Sequence, residues 1–147
     1  MAEQAKADTI AVRDVTLRDG LQSVRSFVPP EEKMEIFGLL RRAGVPEVQI
    51  TSFVNPVKVP QLADADQVFP QAFAAMPDVN VLAVNLRGYR RAVEAGAKSI
   101  DAVVSVSETY NRKNANRSSE DSFREIETML EEAERDGVTL GTALANC

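Results

Sequence analysis

Hydrophobic positions along the chain follow two alternating spacings, one typical of strands and one typical of helices. Short runs of β-branched residues predict five strands, at the start of 10–22 and at 45–51, 79–84, 99–106 and 138–144. Between them, apolar residues return every three or four positions and predict four helices, over 30–43, from 64 or 66 to 76, over 87–95 and from 119 to 136. Pro70, inside the second helix, predicts a kink or a late start there.

Residues that begin and end helices bracket these stretches. Pro29 and Pro30 stand at the start of the first helix, where a missing N–H is tolerated, and Gly44 ends it. Ser118 or Ser119 caps the fourth helix, with an acidic residue three positions later in either case. The residues expected to face the core are Met34, Ile36, Phe37, Leu39 and Leu40 in the first helix and Phe123, Ile126, Met129, Leu130 and Ala133 in the fourth.

The strict alternation of strands and helices predicts a parallel sheet with right-handed crossovers. A doubly wound α/β sheet and half of an eight-stranded barrel both fit this order. The helix-to-strand joints A-G-V, A-G-A and D-G-V are short, whereas the connections after strands, including 106–118, are long and polar. This asymmetry favours the (β/α)8 barrel, since a barrel builds its site from the loops on one face.

Composition sets limits on function. The 147 residues, 44% of them hydrophobic, are within the range of one globular domain. The net charge of −5 argues against nucleic-acid or membrane-surface partners, and no apolar run approaches the roughly 18 residues needed to span a bilayer. Residues 1–9 predict a polar tail without a secretory signal, followed by one domain over 10–147. The single cysteine, Cys147, excludes an internal disulfide and fits a cytoplasmic location.

The chain has no histidine. A metal site made by this chain must therefore use oxygen ligands, or Cys147 alone as a soft ligand, and the commonest acid–base residue is missing. Against that background, the tripeptide Arg18-Asp19-Gly20 stands where the first strand is expected to end. It places a fixed cation beside a hard oxygen ligand at the carboxyl edge of the sheet, where parallel α/β proteins build active sites. The tripeptide alone favours a simpler interpretation, a polar turn with a helpful glycine, and the case for a site depends on the rest of the chain.

Four ordered blocks carry a family resemblance. D-V-T-L-R-D-G-L-Q resembles the signature of the metal-dependent aldolase and Claisen-type lyases. T-S-F-V-N-P-V-K-V-P-Q-L-A-D-A-D, N-L-R-G-Y-R-R-A-V-E-A-G-A-K and S-E-T-Y-N-R-K-N-A-N-R-S-S-E-D-S-F are similar to hydroxymethylglutaryl-CoA lyases in the same order. The resemblance implies a (β/α)8 barrel and a carbon–carbon lyase of leucine degradation. The implied reaction is a metal-assisted retro-Claisen cleavage of a 3-hydroxy-3-methylglutaryl-CoA-type thioester to acetyl-CoA and a keto acid.

The resemblance also implies roles for individual residues. Asp19 is the expected ligand of a divalent metal, Mg²⁺ or Mn²⁺, for which a carboxylate oxygen is suited. Arg18 is the expected catalytic cation where the thioester enolate develops charge. Gln22 and Gln49 are expected to bind substrate. The implied partner is an acyl-CoA, and a homo-oligomer is compatible with the pattern.

The chain departs from these lyases at two places. Gln49 stands where they carry a glutamate, and a glutamine can neither carry charge nor take a proton. The first strand reads R-D-V-T-L where they read E-V-G-P, with Asp14 in place of the glutamate. A related lyase or synthase acting on another acyl-CoA or on a 2-oxo acid is therefore an alternative.

Later parts of the family pattern have no counterpart here. The His-x-His and asparagine that supply the remaining metal ligands, and the glycine-rich loop with a reactive cysteine, are missing from the sequence. A barrel of this kind typically needs about 250 residues. We therefore expect the N-terminal half of a lyase-like barrel, inactive alone, with the other metal ligands outside this chain. A non-catalytic half-barrel that pairs through its open edges is a third hypothesis.

Arg112, Lys113 and Arg117 form a basic cluster in the polar stretch after the fourth strand. The cluster has two interpretations. It either attracts the phosphates of coenzyme A or is simply a solvated loop.

Overall fold

The computed structural model describes Ile10 and residues 12–145. Its strands are β1 Arg13–Asp14, β2 Glu47–Ser52, β3 Asn80–Ala83, β4 Ser99–Ser105 and β5 Thr139–Ala145. Its helices are α1 Pro30–Arg42, α2 Ala65–Ala75, α3 Leu86–Glu94, α4 Glu108–Ala115 and α5 Ser119–Asp136, with a π-helical turn at Thr16–Gly20 and a 3₁₀ turn at Pro60–Leu62. The predictions made for residues 1–9 and for Cys147 lie outside the described residues.

The strands form one parallel sheet in the order β1-β2-β3-β4-β5. The β4–β5 pairing is the longest and runs from Ser99 opposite Thr139 to Ser105 opposite Ala145. Each strand lies beside its neighbour in sequence, and the order never reverses as it does in a doubly wound sheet. This confirms the predicted barrel-type fold, of which these strands form a curled half.

Helices α1, α2, α3 and α5 pack against the sheet and form the hydrophobic core. Consecutive parallel strands joined by right-handed crossovers place the connecting helices on the same face, which we call the outer face. Burying each large apolar side chain there contributes about 1.5–3 kcal/mol. The core includes the buried side chains of Phe37, Val48, Ile50, Phe53, Phe69, Val81, Tyr89, Ile100 and Met129.

The predicted apolar stripes of α1 and α5 are correct only in part. Phe37 and Met129 are buried, but Leu39 is 57% exposed and Phe123 and Leu130 are about half exposed. On α1 the buried line is Lys33 and Phe37, four residues apart. Leu39 lies two positions beyond Phe37, roughly 200° around the helix, and therefore faces away from the sheet.

A polar contact joins α3 to α5 at the edge of this core. The hydroxyl of Tyr89, whose side chain is buried, donates a hydrogen bond of 3.1 Å to Asp136 Oδ2. Burial, together with this bond and the charge of Asp136, raises the pKa of Tyr89 to about 12. The contact stabilises the neutral phenol.

The predicted ends of the first and fourth helices agree with the structure. Pro30 is the first residue of α1, and Gly44, with φ of +76°, follows its last turn. Ser118 caps α5, since its hydroxyl accepts a hydrogen bond of 3.0 Å from the Asp121 N–H. Helix α2 begins at Ala65 and continues through Pro70, so the predicted late start is wrong.

Two segments differ from the sequence prediction. Strand β1 is a two-residue edge strand, not a longer buried one, and Val12 before it is 63% exposed. The strand ends early because the Asp14 carboxylate accepts hydrogen bonds from the Thr16 N–H at 2.9 Å and the Thr16 hydroxyl at 3.1 Å, which turns the chain. The polar stretch predicted as a loop contains α4, which lacks an apolar stripe and is held instead by its Ser107 cap and the buried Asn111 side chain.

Candidate active site

A cleft of about 590 Å³ opens at the carboxyl ends of β2–β5. The π-helical turn contributes Arg18 and Asp19, Gln22 follows two residues after the turn, and the loop after β2 contributes Lys58. The floor is apolar, with Val103 and Ala143 among its residues. The predicted site residues Arg18, Asp19 and Gln22 therefore share one cavity.

The backbone of the π-helical turn fixes the direction of Arg18 and Asp19. The carbonyl of Val15 accepts hydrogen bonds from the N–H groups of Arg18, Asp19 and Gly20 at 3.2, 2.8 and 3.2 Å. Leu17, within the same turn, is fully buried and anchors it to the core. Because three N–H groups converge on one carbonyl, the turn is tight and presents successive side chains toward the cleft.

Arg18 is held from two sides. Its Nε donates to Gln49 Oε1 at 2.6 Å, and its Nη1 donates to Asp19 Oδ1 at 2.6 Å. The Arg18 side chain is 19% exposed and that of Asp19 is 63% exposed. The guanidinium is thus positioned before any ligand binds, while the Asp19 carboxylate remains open to the cleft.

Gln49 lies behind Arg18, 3% exposed, on the inner face of the sheet. Its Nε2 donates to Asn80 Oδ1 at 2.7 Å and to Asp101 Oδ2 at 2.9 Å. The β2–β3 register shifts between Gln49 and Thr51, an irregularity of the kind that re-aims a side chain next to a site. The predicted contact of Gln49 with substrate stays a prediction, because in this structure Gln49 contacts Arg18 and buried polar groups.

Sequence reasoning missed Arg13, Asn80 and Asp101. Asp101 Oδ2 accepts from Arg13 Nη1 as well as from Gln49, and Arg13 Nε also donates to Glu47 at 3.0 Å. Asn80 Nδ2 donates to Ser99 Oγ at 3.0 Å. The sequence did contain a signal for Asp101. It is a carboxylate inside the hydrophobic run S-I-D-A-V-V-S, where an unpaired charge is costly and a buried partner is therefore expected.

The chemistry of Asp19 suits a hard divalent cation, but the described residues do not complete a metal site. No group of three or more His, Cys, Asp or Glu side chains within Ile10 and 12–145 is placed to hold a metal ion. Both oxygens of Asp14, the nearest carboxylate in sequence, accept hydrogen bonds from Thr16. Asp19 is therefore one possible ligand, and the identity of the metal stays a prediction.

The basic cluster divides into two parts. Arg112 and Lys113 lie exposed on α4, where Arg112 Nε pairs with Glu108 Oε1 at 2.7 Å. Arg117 lines the cleft, but its guanidinium contacts the Glu125 carboxylate and donates to the Val84 carbonyl at 2.6 Å. Arg117 therefore ties the end of β3 to α5, and a phosphate would have to compete with Glu125 for it.

Over Ile10 and residues 12–145, no helix is both long and apolar enough to cross a bilayer.

Comparisons with known proteins agree with the geometry. The sequence model of the HMGL-like family matches residues 9–145. The mitochondrial hydroxymethylglutaryl-CoA lyase of Mus musculus is 38% identical over 133 residues, which cover 89% of this chain and 41% of the mouse enzyme. The (R)-citramalyl-CoA lyase of Chloroflexus aurantiacus is 34% identical, with 93% of this chain and 47% of that protein covered.

A solved structure gives the same fold. The HMG-CoA lyase of Acinetobacter baumannii, in complex with coenzyme A and 3-methylmalate, superposes with a TM-score of 0.86 at 30% identity, over 97% of this chain and 47% of that chain. This chain thus spans less than half the length of the proteins that it matches.

Proposed function

The chain belongs to the HMGL-like family, and from this premise we propose that it carries the Arg18 and Asp19 side of a carbon–carbon lyase active site. The proposed reaction is the retro-Claisen cleavage of a 3-hydroxy-3-methylglutaryl-CoA-type thioester to acetyl-CoA and a keto acid. The observation that carries the proposal is the Arg18 guanidinium, held by Gln49 beside Asp19 at the carboxyl edge of a parallel sheet. The similar Acinetobacter enzyme, solved with coenzyme A, supports an acyl-CoA as the substrate.

In this reaction the proton of the 3-hydroxyl passes to a base that we expect from outside this chain, the C3–O group becomes the carbonyl of the keto acid, and the bond between C2 and C3 breaks. Its electron pair moves into the thioester as an enolate, which then takes a proton to give acetyl-CoA. Arg18 donates hydrogen bonds to the enolate oxygen, where negative charge develops. Because Gln49 and Asp19 already hold the guanidinium, little reorganisation is needed as the charge forms.

A divalent metal, Mg²⁺ or Mn²⁺, would hold the substrate hydroxyl and carboxylate oxygens. Asp19 is the residue of this chain that we expect to bind it, and we expect the other ligands from residues outside this chain. Gln22 lines the same cleft as Asp19, and we expect it to orient a polar group of the substrate. Gln49 acts on the substrate through Arg18.

The proposal is tested in the full-length protein by following acetyl-CoA release from hydroxymethylglutaryl-CoA with Mg²⁺ or Mn²⁺. We expect Arg18→Gln to lower kcat roughly 10²- to 10³-fold and to change KM far less, because the lost interaction forms in the transition state. A rise in KM with kcat unchanged would show that Arg18 only anchors the substrate. Asp19→Asn should weaken Mn²⁺ binding measured by titration.

The control is Arg124→Gln, a charge change of the same kind on the exposed surface of α5, which should leave kcat unchanged. We also expect the 147-residue chain alone to show no turnover with either metal. Measurable turnover by the pure chain, or an Arg18→Gln variant as active as wild type, would contradict the proposed roles.

A second candidate is a lyase or synthase of the same superfamily acting on another acyl-CoA or on a 2-oxo acid. Gln49, in place of the glutamate of similar lyases, favours it, and so does the similarity to a citramalyl-CoA lyase. Turnover of hydroxymethylglutaryl-CoA, citramalyl-CoA and 2-oxo acids by the full-length protein, compared by kcat/KM, separates the two candidates.

The remaining predictions concern assembly and location. A non-catalytic half-barrel that pairs through its edges predicts a dimer in sedimentation, and a monomer would contradict it. A homo-oligomer of the full-length protein is tested by the same measurement. We keep a cytoplasmic location as a proposal, to be checked by imaging a fluorescent fusion, since the similar mouse enzyme is named as mitochondrial.

A further inference from the structure

A row of polar side chains on the inner face of the sheet ends at Arg18. The row, which we call the inner relay, runs from Arg13 to Asp101, then to Gln49, then to Arg18. We infer that Asp101 and Gln49 are positioning residues that fix the Arg18 guanidinium, and that this arrangement requires a neutral amide at Gln49. The inference rests on the proposed catalytic role of Arg18.

The partners of Gln49 determine how its amide points. Arg18 Nε can only donate, so the atom facing it must be the Gln49 oxygen, at 2.6 Å. The Asp101 carboxylate can only accept when ionised, so the atom facing it must be the Gln49 nitrogen, at 2.9 Å. The second N–H of that nitrogen donates to Asn80 Oδ1 at 2.7 Å. Both hydrogens of the amide are used, and the side chain has one orientation that satisfies its neighbours.

A carboxylate at this position would conflict with Asp101. The conservative change Gln49→Glu replaces the donating nitrogen by an oxygen about 2.9 Å from Asp101 Oδ2, with both groups buried. Two carboxylates that close cannot both be ionised, so one would have to bind a proton or the pair would separate. Separation would carry the introduced side chain, and with it Arg18, away from the position seen here. The negative charge near Arg18 is thus placed one residue farther away, on Asp101, and Arg13 balances it.

Gly141 on β5 makes room for Asp101. A Cβ added at Gly141 would lie 2.5 Å from Asp101 Oδ1, although its backbone conformation is open to other residues. Gly141→Ala therefore displaces the Asp101 carboxylate without changing its chemistry. This gives a second, independent way to disturb the inner relay.

The experiment uses the full-length protein and compares Gln49→Glu, Asp101→Asn and the double variant. We expect Gln49→Glu to lower kcat roughly 10- to 100-fold with little change in KM, as for groups that orient a catalytic residue. Asp101→Asn keeps an oxygen that accepts from both Gln49 and Arg13, so it should stay near wild type. In the double variant the new amide turns its nitrogen toward the introduced carboxylate; this nitrogen cannot accept from Arg13, which faces the same atom but keeps Glu47. The carboxylate conflict is then removed, and kcat should recover well above that of Gln49→Glu. A double variant no better than Gln49→Glu, or a Gln49→Glu variant with wild-type kcat, would overturn the inference.

The pH dependence and the control variants separate positioning from general loss of structure. The close carboxyl pair in Gln49→Glu raises the pKa of the introduced carboxyl group, so its loss of kcat and stability should shrink as the pH falls toward 4 and grow as the pH rises. Gly141→Ala should lower kcat without this pH dependence. Asp64→Asn, a buried carboxylate changed on the outer face, should reduce stability and leave kcat unchanged. The same loss of kcat in Asp64→Asn would show that any destabilisation has this effect.

Failure of the proposed function is distinguishable from failure of this inference. If wild type cleaves none of the acyl-CoA substrates, the proposed reaction is wrong, and the inner relay is then judged by urea unfolding of the same variants. Gln49→Glu should be destabilised and the double variant stabilised relative to it, or recovered as folded protein where Gln49→Glu does not fold. Additive losses in the double variant would overturn the relay.

Discussion

The outer and inner faces of the sheet each pair a cation with a largely buried carboxylate, in different surroundings. On the outer face Lys33, 2% exposed, donates to both oxygens of Asp64 at 2.7 and 2.8 Å and to the Gln61 carbonyl at 2.7 Å. On the inner face Arg13 contacts Asp101, but its side chain is 35% exposed and Asp101 has a second donor in Gln49. The hydrogen bonds of the outer pair do not extend to the cleft, whereas those of the inner pair lead through Gln49 to Arg18 in the cleft.

The difference indicates what each pair does. Lys33 lies among apolar residues and fastens α1 to the loop before α2, and its three N–H groups all have acceptors. The inner face is lined by polar side chains whose hydrogen bonds connect Arg13 on β1 to Arg18 in the π-helical turn, by way of β4 and β2. We therefore expect the Lys33–Asp64 pair to contribute to stability alone. The inner hydrogen bonds follow one another from Arg13 to Arg18, so a shift of one side chain should move the next.

Lys33→Met gives the largest expected effect on stability. It leaves the buried Asp64 carboxylate without a cation, and we expect a loss of about 3–5 kcal/mol in the free energy of unfolding. Lys33→Met combined with Asp64→Leu should regain most of that loss, because an apolar pair needs no charge balance. Urea denaturation of the full-length protein measures both. A loss under 1 kcal/mol for the single variant would mean that solvent reaches Asp64.

Arg13→Gln removes the cation of the inner pair and should reduce stability less than Lys33→Met does in the outer pair. Asp101 would keep the hydrogen bond from Gln49, so we expect a loss of about 1–3 kcal/mol. Glu47→Gln removes the other partner of Arg13, at a pair that is more than one third exposed, and should cost at most about 1 kcal/mol. Equal losses in the two variants, measured by denaturation, would argue that the contact of Arg13 with Asp101 stabilises the fold no more than its contact with Glu47.

Tyr89→Phe should have the smallest effect, about 0.5–1.5 kcal/mol for one hydrogen bond to Asp136. Its distinctive readout is alkaline pH. The folded pKa of about 12 lies above the unfolded value near 10, so the contribution of Tyr89 is fully present below pH 10 and is lost as the pH rises toward 12. Stability of wild type should therefore fall in that interval by more than stability of Tyr89→Phe. Parallel curves from pH 9 to 12 would contradict this assignment.

Local sequence patterns were sufficient for most of the fold. Each of the five predicted strands and four predicted helices has a counterpart, because their hydrophobic spacing and end signals agree with each other. The exceptions are α4, which lacks such spacing, and β1, which ends earlier than its spacing predicts. Helix α4 is held by a cap and by Asn111, and β1 ends where the Asp14 side chain turns the chain. Side-chain hydrogen bonds decided these two places, and a hydrophobic pattern does not record them.

The sequence by itself determined the order of the elements, the family resemblance and the place of Arg18 and Asp19 at the carboxyl edge. Only the tertiary structure decided what holds Arg18. Gln49 is separated from Arg18 by 31 positions and from Asp101 by 52, and the register of three strands brings them within hydrogen-bond distance. A residue type limits which bonds a side chain can make, but its partner depends on which strands lie side by side.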